Sequence, residues 1–315
     1  MPLDRQANRI LGLLAAGGIE PTSRNLSASK LRESMLAVQK TFDVQGVAIG
    51  SVENRDLPGP GGALAVRIYS PAAIAAQQQS AALVYFHGGA GVFCSIDTHE
   101  GLCRMLANAS DCRVFSVDYR LAPEHRFPAA VEDADFATQW LATHAREFHI
   151  DPARVAIGGD SFGATLAAVV CQRAKETGGP ALALQVLICP VTDLSRRFAS
   201  WTAYGAGHFL ERVTLDWAIE NYAPHMDLAD PRISPLRATD LSGLPPAHIH
   251  TAEFDPFRDE GSAYAEALAA ARVPVRYTCH AGMIHHFYCM GGAITYAQQA
   301  LKDAGAAIAE ALAPR

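Results

Sequence analysis

Ser161 stands at the centre of Gly159-Asp160-Ser161-Phe162-Gly163, a pentapeptide that follows the apolar run 155–158 and opens a helix-like stretch at 164–175. A serine can act as a nucleophile only if its hydroxyl is held out into a cleft. A sharp strand-to-helix turn does this when glycines two residues to either side remove the side chains that would collide. Acyl transfer also needs a base, a carboxylate to orient it and donors aimed at the developing oxyanion. Upstream, the apolar run 82–86 ends in His87-Gly88-Gly89-Ala90-Gly91, small residues that let backbone N–H groups approach a ligand. Downstream, Asp255 follows the run 248–251, and His285 and His286 follow the run 275–279. The chain order is therefore serine, aspartate, histidine.

The elements that must position these residues are legible in the hydrophobic pattern. Strand-like runs lie at 64–68, 82–86, 113–117, 154–157, 184–189, 248–251 and 275–279, with helical stretches at 99–109, 129–145, 164–175, 258–271 and 293–312. Runs apolar on both faces, alternating with helices, predict an α/β fold with a mostly parallel central sheet flanked by helices. Two segments break the rhythm: residues 1–45, helical and followed by a turn at Pro58-Gly59-Pro60-Gly61-Gly62, and residues 192–236. They are expected to form a helical cap, leaving 46–191 and 237–315 as the catalytic domain. The second segment carries Trp201, Tyr204, Phe209, Trp217 and Tyr222, and ligands of open α/β sheets bind beyond the strand C-termini, where such insertions sit. The competing reading is a helical pair packed on its own small core.

Composition narrows the function classes. The 315 residues are 50% hydrophobic and 18% charged, enough to bury a substantial core. A net charge of -6 with no Lys/Arg cluster excludes a phosphate-tracking surface, so no nucleic-acid partner is expected. Seven cysteines without a C-x-x-C pair suit a reduced, cytoplasmic setting. Arg5 and Arg9 before the apolar run 10–16 imitate a short signal peptide, but Asp4 interrupts the basic region. No run approaches the length of a membrane span.

The sequence resembles the hormone-sensitive-lipase-like family of α/β-hydrolase esterases, the bacterial family IV enzymes, from about residue 80 to 290. The resemblance rests on Tyr85-Phe86-His87-Gly88-Gly89-Ala90, Val117-Asp118-Tyr119-Arg120-Leu121-Ala122-Pro123-Glu124-His125, the pentapeptide at 159–163, Asp230-Pro231-Arg232-Ile233-Ser234-Pro235 and Asp255-Pro256-Phe257-Arg258-Asp259-Glu260-Gly261. It implies a carboxylesterase acting on short- to medium-chain acyl esters. Ser161 would be the nucleophile, His285 the general base and acid, and Asp255 the residue that fixes the imidazole tautomer. An oxyanion hole would come from Gly89, Ala90 and Phe162, with Gly88 shaping the loop. Phe93, Trp201, Tyr204, Phe209 and His286 are the candidate substrate contacts, and no metal or organic cofactor is required.

The resemblance also makes a homodimer plausible, through a sheet edge or terminal helix. It reads Ala122-Pro123 as a constrained turn with Arg120 and Glu124 holding neighbouring loops, Asp259 as an ion-pair partner of Arg258 or a cap, and Asp160 as a support of the oxyanion loop. Alternatives on the same residues are amide or lactone hydrolysis, acyl transfer to another acceptor, or a small-molecule receptor. Three positions depart from the family pattern: Phe162 where alanine is usual, Gly91 where an aromatic is usual, and His286 where glycine is usual. The Phe162 ring is expected either to fill the volume vacated at residue 91 or to turn into the core.

Overall fold

The computed structural model describes residues 2–16, 27–74 and 78–314. Eight strands form one sheet in the order β1-β2-β4-β3-β5-β6-β7-β8. They are β1 (Ser51–Gly59), β2 (Gly62–Ser70), β3 (Ser80–Phe86), β4 (Cys112–Val117), β5 (Ile150–Asp160), β6 (Leu184–Ile188), β7 (Ala247–Phe254) and β8 (Val275–Ile284). From β4 to β8 every neighbouring pair is parallel, and β1 and β2 add an antiparallel hairpin at one edge. Strands β3, β4 and β6 are buried at every residue, as a sheet covered on both faces requires.

Strand β1 escapes the hydrophobic pattern. Its residues are Ser, Val, Glu, Asn, Arg, Asp, Leu, Pro and Gly, and only Leu57 is buried. A polar edge strand gains its place from backbone pairing, with Gly59 opposite Gly62 across a two-residue turn.

The helices are α1 (Arg5–Ala16), α2 (Ala28–Phe42), α3 (Glu100–Ser110), α4 (Ala129–His144), α5 (Phe162–Thr177), α6 (Ala199–Tyr204), α7 (Arg212–Tyr222), α8 (Arg258–Ala270) and α9 (Thr295–Ala311). The crossover helix α3 packs on the C-terminal helix α9, and α4 packs on α5. The signal-like stretch is α1, which buries Ala7, Ile10 and Leu14 along one stripe. Helix α2 begins at Ser27, whose hydroxyl accepts from Lys30 N–H, and buries Leu31, Met35, Val38 and Phe42. Among the described residues no helix is long and apolar enough to cross a membrane.

Parallel strands place their C-terminal ends along one rim. Beyond β3 comes the loop at residue 87, beyond β5 Ser161, beyond β7 Asp255 and beyond β8 His285. Strand β8 runs five residues past the expected run: Gly282, Met283 and Ile284 belong to it, and Ile284 pairs with Phe254. His285 therefore leaves directly from a strand end, which ties its backbone to the sheet.

Candidate active site

The turn at Ser161 is set by close approach of backbone. A Cβ on Gly163 would lie 2.0 Å from the Phe86 carbonyl oxygen, and one on Gly159 would lie 2.4 Å from the Gly163 carbonyl carbon. Ser161 itself has φ +52°, a left-handed conformation that costs a non-glycine residue about 1–3 kcal/mol. The Ile188 carbonyl anchors the turn by accepting from Ser161 N–H at 2.7 Å. Helix α5 starts immediately at Phe162, so that residue's N–H belongs to the helix's first turn, where the backbone dipole favours negative charge.

His285 Nε2 stands 3.1 Å from Ser161 Oγ, and its Nδ1 stands 2.8 Å from Asp255 Oδ2. Asp255 is fully buried, and its other oxygen accepts from Phe257 N–H at 2.8 Å. With Nδ1–H committed to the carboxylate, Nε2 presents its lone pair to the serine hydroxyl. The Cys189 thiol is held far above its ordinary range by burial and by the neighbouring Asp255 charge, so it stays protonated beside the carboxylate.

The oxyanion loop is held from behind. Asp160 Oδ1 accepts from Gly88 N–H at 2.9 Å and from Tyr85 Oη at 2.9 Å, while His99 Nε2 lies 3.1 Å away. Burial works to raise the Asp160 carboxyl, but the charge and hydrogen bond of His99, with His286 and Tyr85, hold it below the usual carboxylate range. Gly88 thus spends its N–H on Asp160, consistent with a loop-shaping part, and Gly89 and Ala90 are the loop residues that line the cleft beside Ser161.

That cleft, counted together with the open space at its mouth, spans about 530 Å³. Its walls join Gly89, Ala90 and Phe93 of the loop, Leu31 and Met35 of α2, the stretch from Phe209 to Leu215, and His285 and His286. Of the five candidate substrate contacts, Phe93, Phe209 and His286 stand in this wall. The other two lie elsewhere. Trp201 is buried, donates Nε1–H to Glu260 at 3.1 Å and packs on Phe257. Tyr204 packs on Phe254 and accepts from Arg258. Phe162 turns its ring towards Tyr222, at a centroid distance of 4.8 Å, and towards Tyr119.

Several supporting residues stand as the motif reading places them. Asp259 pairs with Arg258 at 2.8 Å and also accepts from Ser200 N–H. Arg120 grips Asp133, and Glu124 pairs with Arg32 of α2 at 2.7 Å. The Ala122-Pro123 peptide is cis. What sequence reasoning missed is the α2 wall and the buried partners of Asp160. The period of Leu31 and Met35 marks a buried face, but not what it covers. His99 lies 61 residues from Asp160 and carries no local signal.

The profile of the α/β-hydrolase fold family matches residues 83–289. The chain belongs to that family and, within it, to the hormone-sensitive-lipase-like carboxylic ester hydrolases. Among similar proteins are the carboxylic ester hydrolase LipN of Mycobacterium tuberculosis, 45% identical over 243 residues that make up 75% of this chain, and the ethyl acetate hydrolase of Pseudomonas putida, 42% identical over 85% of this chain and 84% of that one. The match spans 64% of LipN, less than two-thirds of its length. An ester hydrolase from the metagenome of Lake Arreo superposes with a TM-score of 0.94 at 38% identity, covering 98% of each chain.

Proposed function

We propose that this chain hydrolyses short- to medium-chain acyl esters through Ser161, His285 and Asp255. The observation that carries the reading is the unbroken hydrogen-bonded line from Ser161 Oγ to His285 Nε2 and from His285 Nδ1 to Asp255. Ser161 Oγ attacks the acyl carbon as His285 takes its proton. The carbonyl oxygen becomes an oxyanion, held by the N–H groups of Gly89, Ala90 and Phe162. His285 then protonates the departing alcohol, and water repeats the sequence on the acyl-enzyme, returning carboxylate and free Ser161. Asp255 keeps the imidazole in the tautomer that accepts at Nε2.

The described residues of 1–45, which leave out 1 and 17–26, and residues 192–236 serve in this reading as the cap. Leu31 and Met35 from the first and Phe209, Leu210 and Leu215 from the second support it by closing the cleft over Ser161. Apolar walls of this extent suit an acyl chain of a few carbons, with Phe93, Phe209 and His286 as contacts. Seven cysteines without a disulfide among them support a reducing, cytoplasmic setting. A homodimer would use the β8 edge, where Tyr277 and Cys279 are exposed.

Release of p-nitrophenol from a series of acyl esters, with Ser161→Ala as control, tests the reading. Turnover should peak at short chains and fall at least a thousandfold in the variant. Equal release by both proteins would refute it.

A further inference from the structure

Behind the oxyanion loop, His99, Asp160, His286 and Cys289 converge, each buried, with one donor atom apiece all within 4.8 Å of one another. Ester hydrolysis by the triad uses none of the four as a reacting group. Their hydrogen-bonding capacity is also incompletely used. Thr98 Oγ1 donates to the Ser95 carbonyl at 2.7 Å and lies 2.8 Å from His99 Nδ1, so that nitrogen must carry the proton. His99 Nε2 therefore faces the Asp160 carboxylate with either a lone pair or a second proton. A lone pair there would be repelled, so Nε2 carries a second proton that Asp160 accepts, and an ion bound here must displace it.

His286 repeats the pattern. Its Nδ1 lies 3.8 Å from Asp160 Oδ2, beyond hydrogen-bond reach, while its Nε2 abuts the side-chain amide of Gln39. The Gln39 carbonyl oxygen is buried without a partner. Turned by half a rotation, it accepts from His286 Nε2–H and leaves the Nδ1 lone pair aimed at Asp160 and Cys289.

We propose that His99 Nε2, His286 Nδ1, Asp160 Oδ2 and Cys289 Sγ form a binding site for a borderline-soft divalent cation of the Zn²⁺ type, which inhibits the enzyme when occupied. Two imidazoles, a carboxylate and a thiolate are a tetrahedral zinc donor set, whose donors stand about 3.5 Å apart once metal is bound. Drawing four atoms inward by about an ångström is within the reach of side-chain rotation. The charge balances: Zn²⁺ displaces the proton between His99 and Asp160 and the thiol proton of Cys289. Both protons leave for solvent, and the carboxylate and thiolate neutralise the ion, which lowers the cost of burying it. Entry is through the cleft, whose wall includes His286.

Inhibition follows from the anchorage. Asp160 holds Gly88 N–H, and His285 precedes His286, so a metal that draws in Asp160 and His286 displaces both the oxyanion loop and the base.

The test begins with chelator-treated protein titrated with ZnCl2 against a competing chromogenic chelator, and with native mass spectrometry. One Zn²⁺ per chain is expected. His286→Gly, which restores a residue at ease with the φ of +67° there, and Cys289→Ser should each weaken binding at least tenfold. Cobalt substitution should give a thiolate charge-transfer band that Cys289→Ser abolishes. No retained zinc, or equal affinity in wild type and in whichever variants fold, overturns the site; equal affinity would move the ion to another cluster such as Cys189, Asp255 and His285. Bound zinc should lower kcat at least tenfold, reversibly by chelator, and binding with full turnover overturns the inhibitory role. A protein that binds zinc but never hydrolyses esters would fail the functional reading and leave the metal site standing.

Discussion

The Phe162 ring occupies the space that a side chain at residue 91 would need. A Cβ on Gly91 would stand 3.0 Å from Phe162 Cζ and equally close to Tyr222 Cδ2. Phe162 and Gly91 thus share one volume beside the nucleophile, the ring filling what the glycine leaves open. The ring reaches this place from the first residue of α5, so its backbone N–H is still directed from the helix N-terminus while its side chain packs between Tyr119 and Tyr222.

Coupling between residues 91 and 162 follows. Gly91→Ala alone should destabilise by about 1–3 kcal/mol, from overpacking against the ring and from strain at φ +73°. In a Phe162→Ala background the clash with the ring is relieved and the Tyr222 contact and the strain are left, so the double mutant should be more stable than the sum of the singles by about 1 kcal/mol. Denaturant unfolding of the four proteins measures it, and simple additivity would dissolve the relationship. The same Phe162→Ala protein, assayed across acyl lengths, should show an altered chain-length profile. An unchanged profile would confine the ring to a packing role.

Asp255→Asn should cost on the order of 10³–10⁴ in kcat with little change in KM. An amide at this position keeps the geometry, but its NH2 group can face His285 Nδ1 and select the tautomer with the proton on Nε2, which cannot accept from Ser161. Phe257 N–H still has an oxygen to bond, so the fold should hold. A loss that appears in KM alone would contradict an orienting role.

Asp160→Asn separates support of the oxyanion loop from the chemistry at Ser161. The amide oxygen can keep both Gly88 N–H and Tyr85 Oη, which share Oδ1, but the side chain loses the charge that holds His99. The expected result is a fall in kcat of about 10–100-fold, less than loss of a direct oxyanion donor. Rates of serine labelling by an organophosphonate should fall in parallel, and unchanged labelling would leave Asp160 with a structural role only.

Most of what positions the chemistry was readable before the structure, because it is local. The spacing of Gly159 and Gly163 around Ser161 is a local pattern, although the backbone it makes room for is that of Phe86 in β3 as well as the turn's own, and the fully apolar runs that became β3, β4 and β6 declare a sheet buried on both faces. What escaped is what depends on the third dimension. Strand β1 has no apolar signal, being an exposed edge held by pairing with β2. The tail of β8, Gly282 to Ile284, looks like a loop until Phe254 supplies a partner. Aromatic content alone pointed to Trp201 as a substrate contact, yet its indole N–H is engaged by Glu260, a partner 59 residues away. Leu31 and Met35 show helical spacing, and only the packing reveals that this face roofs the cleft.

Asp43 carries a pH dependence of stability. It caps the C-terminus of α2, accepts from Val44 N–H at 2.7 Å and lies against α3 near Gly101. Burial, only partly offset by the Val44 and Gly101 backbone N–H groups and by His99, raises its carboxyl from 3.8 to about 6. A raised acid favours the protonated form in the folded state. Its contribution is therefore fully present below about pH 4 and is lost as pH rises to about 6, by up to about 3 kcal/mol. Asparagine cannot ionise and escapes this loss. The difference in Tm between Asp43→Asn and wild type should become more positive from pH 4 to pH 7, by several degrees, and then level off. A difference that is flat across this range, or one that grows more negative, would show that Asp43 titrates alike in the folded and unfolded chain or is ionised with its partners' support.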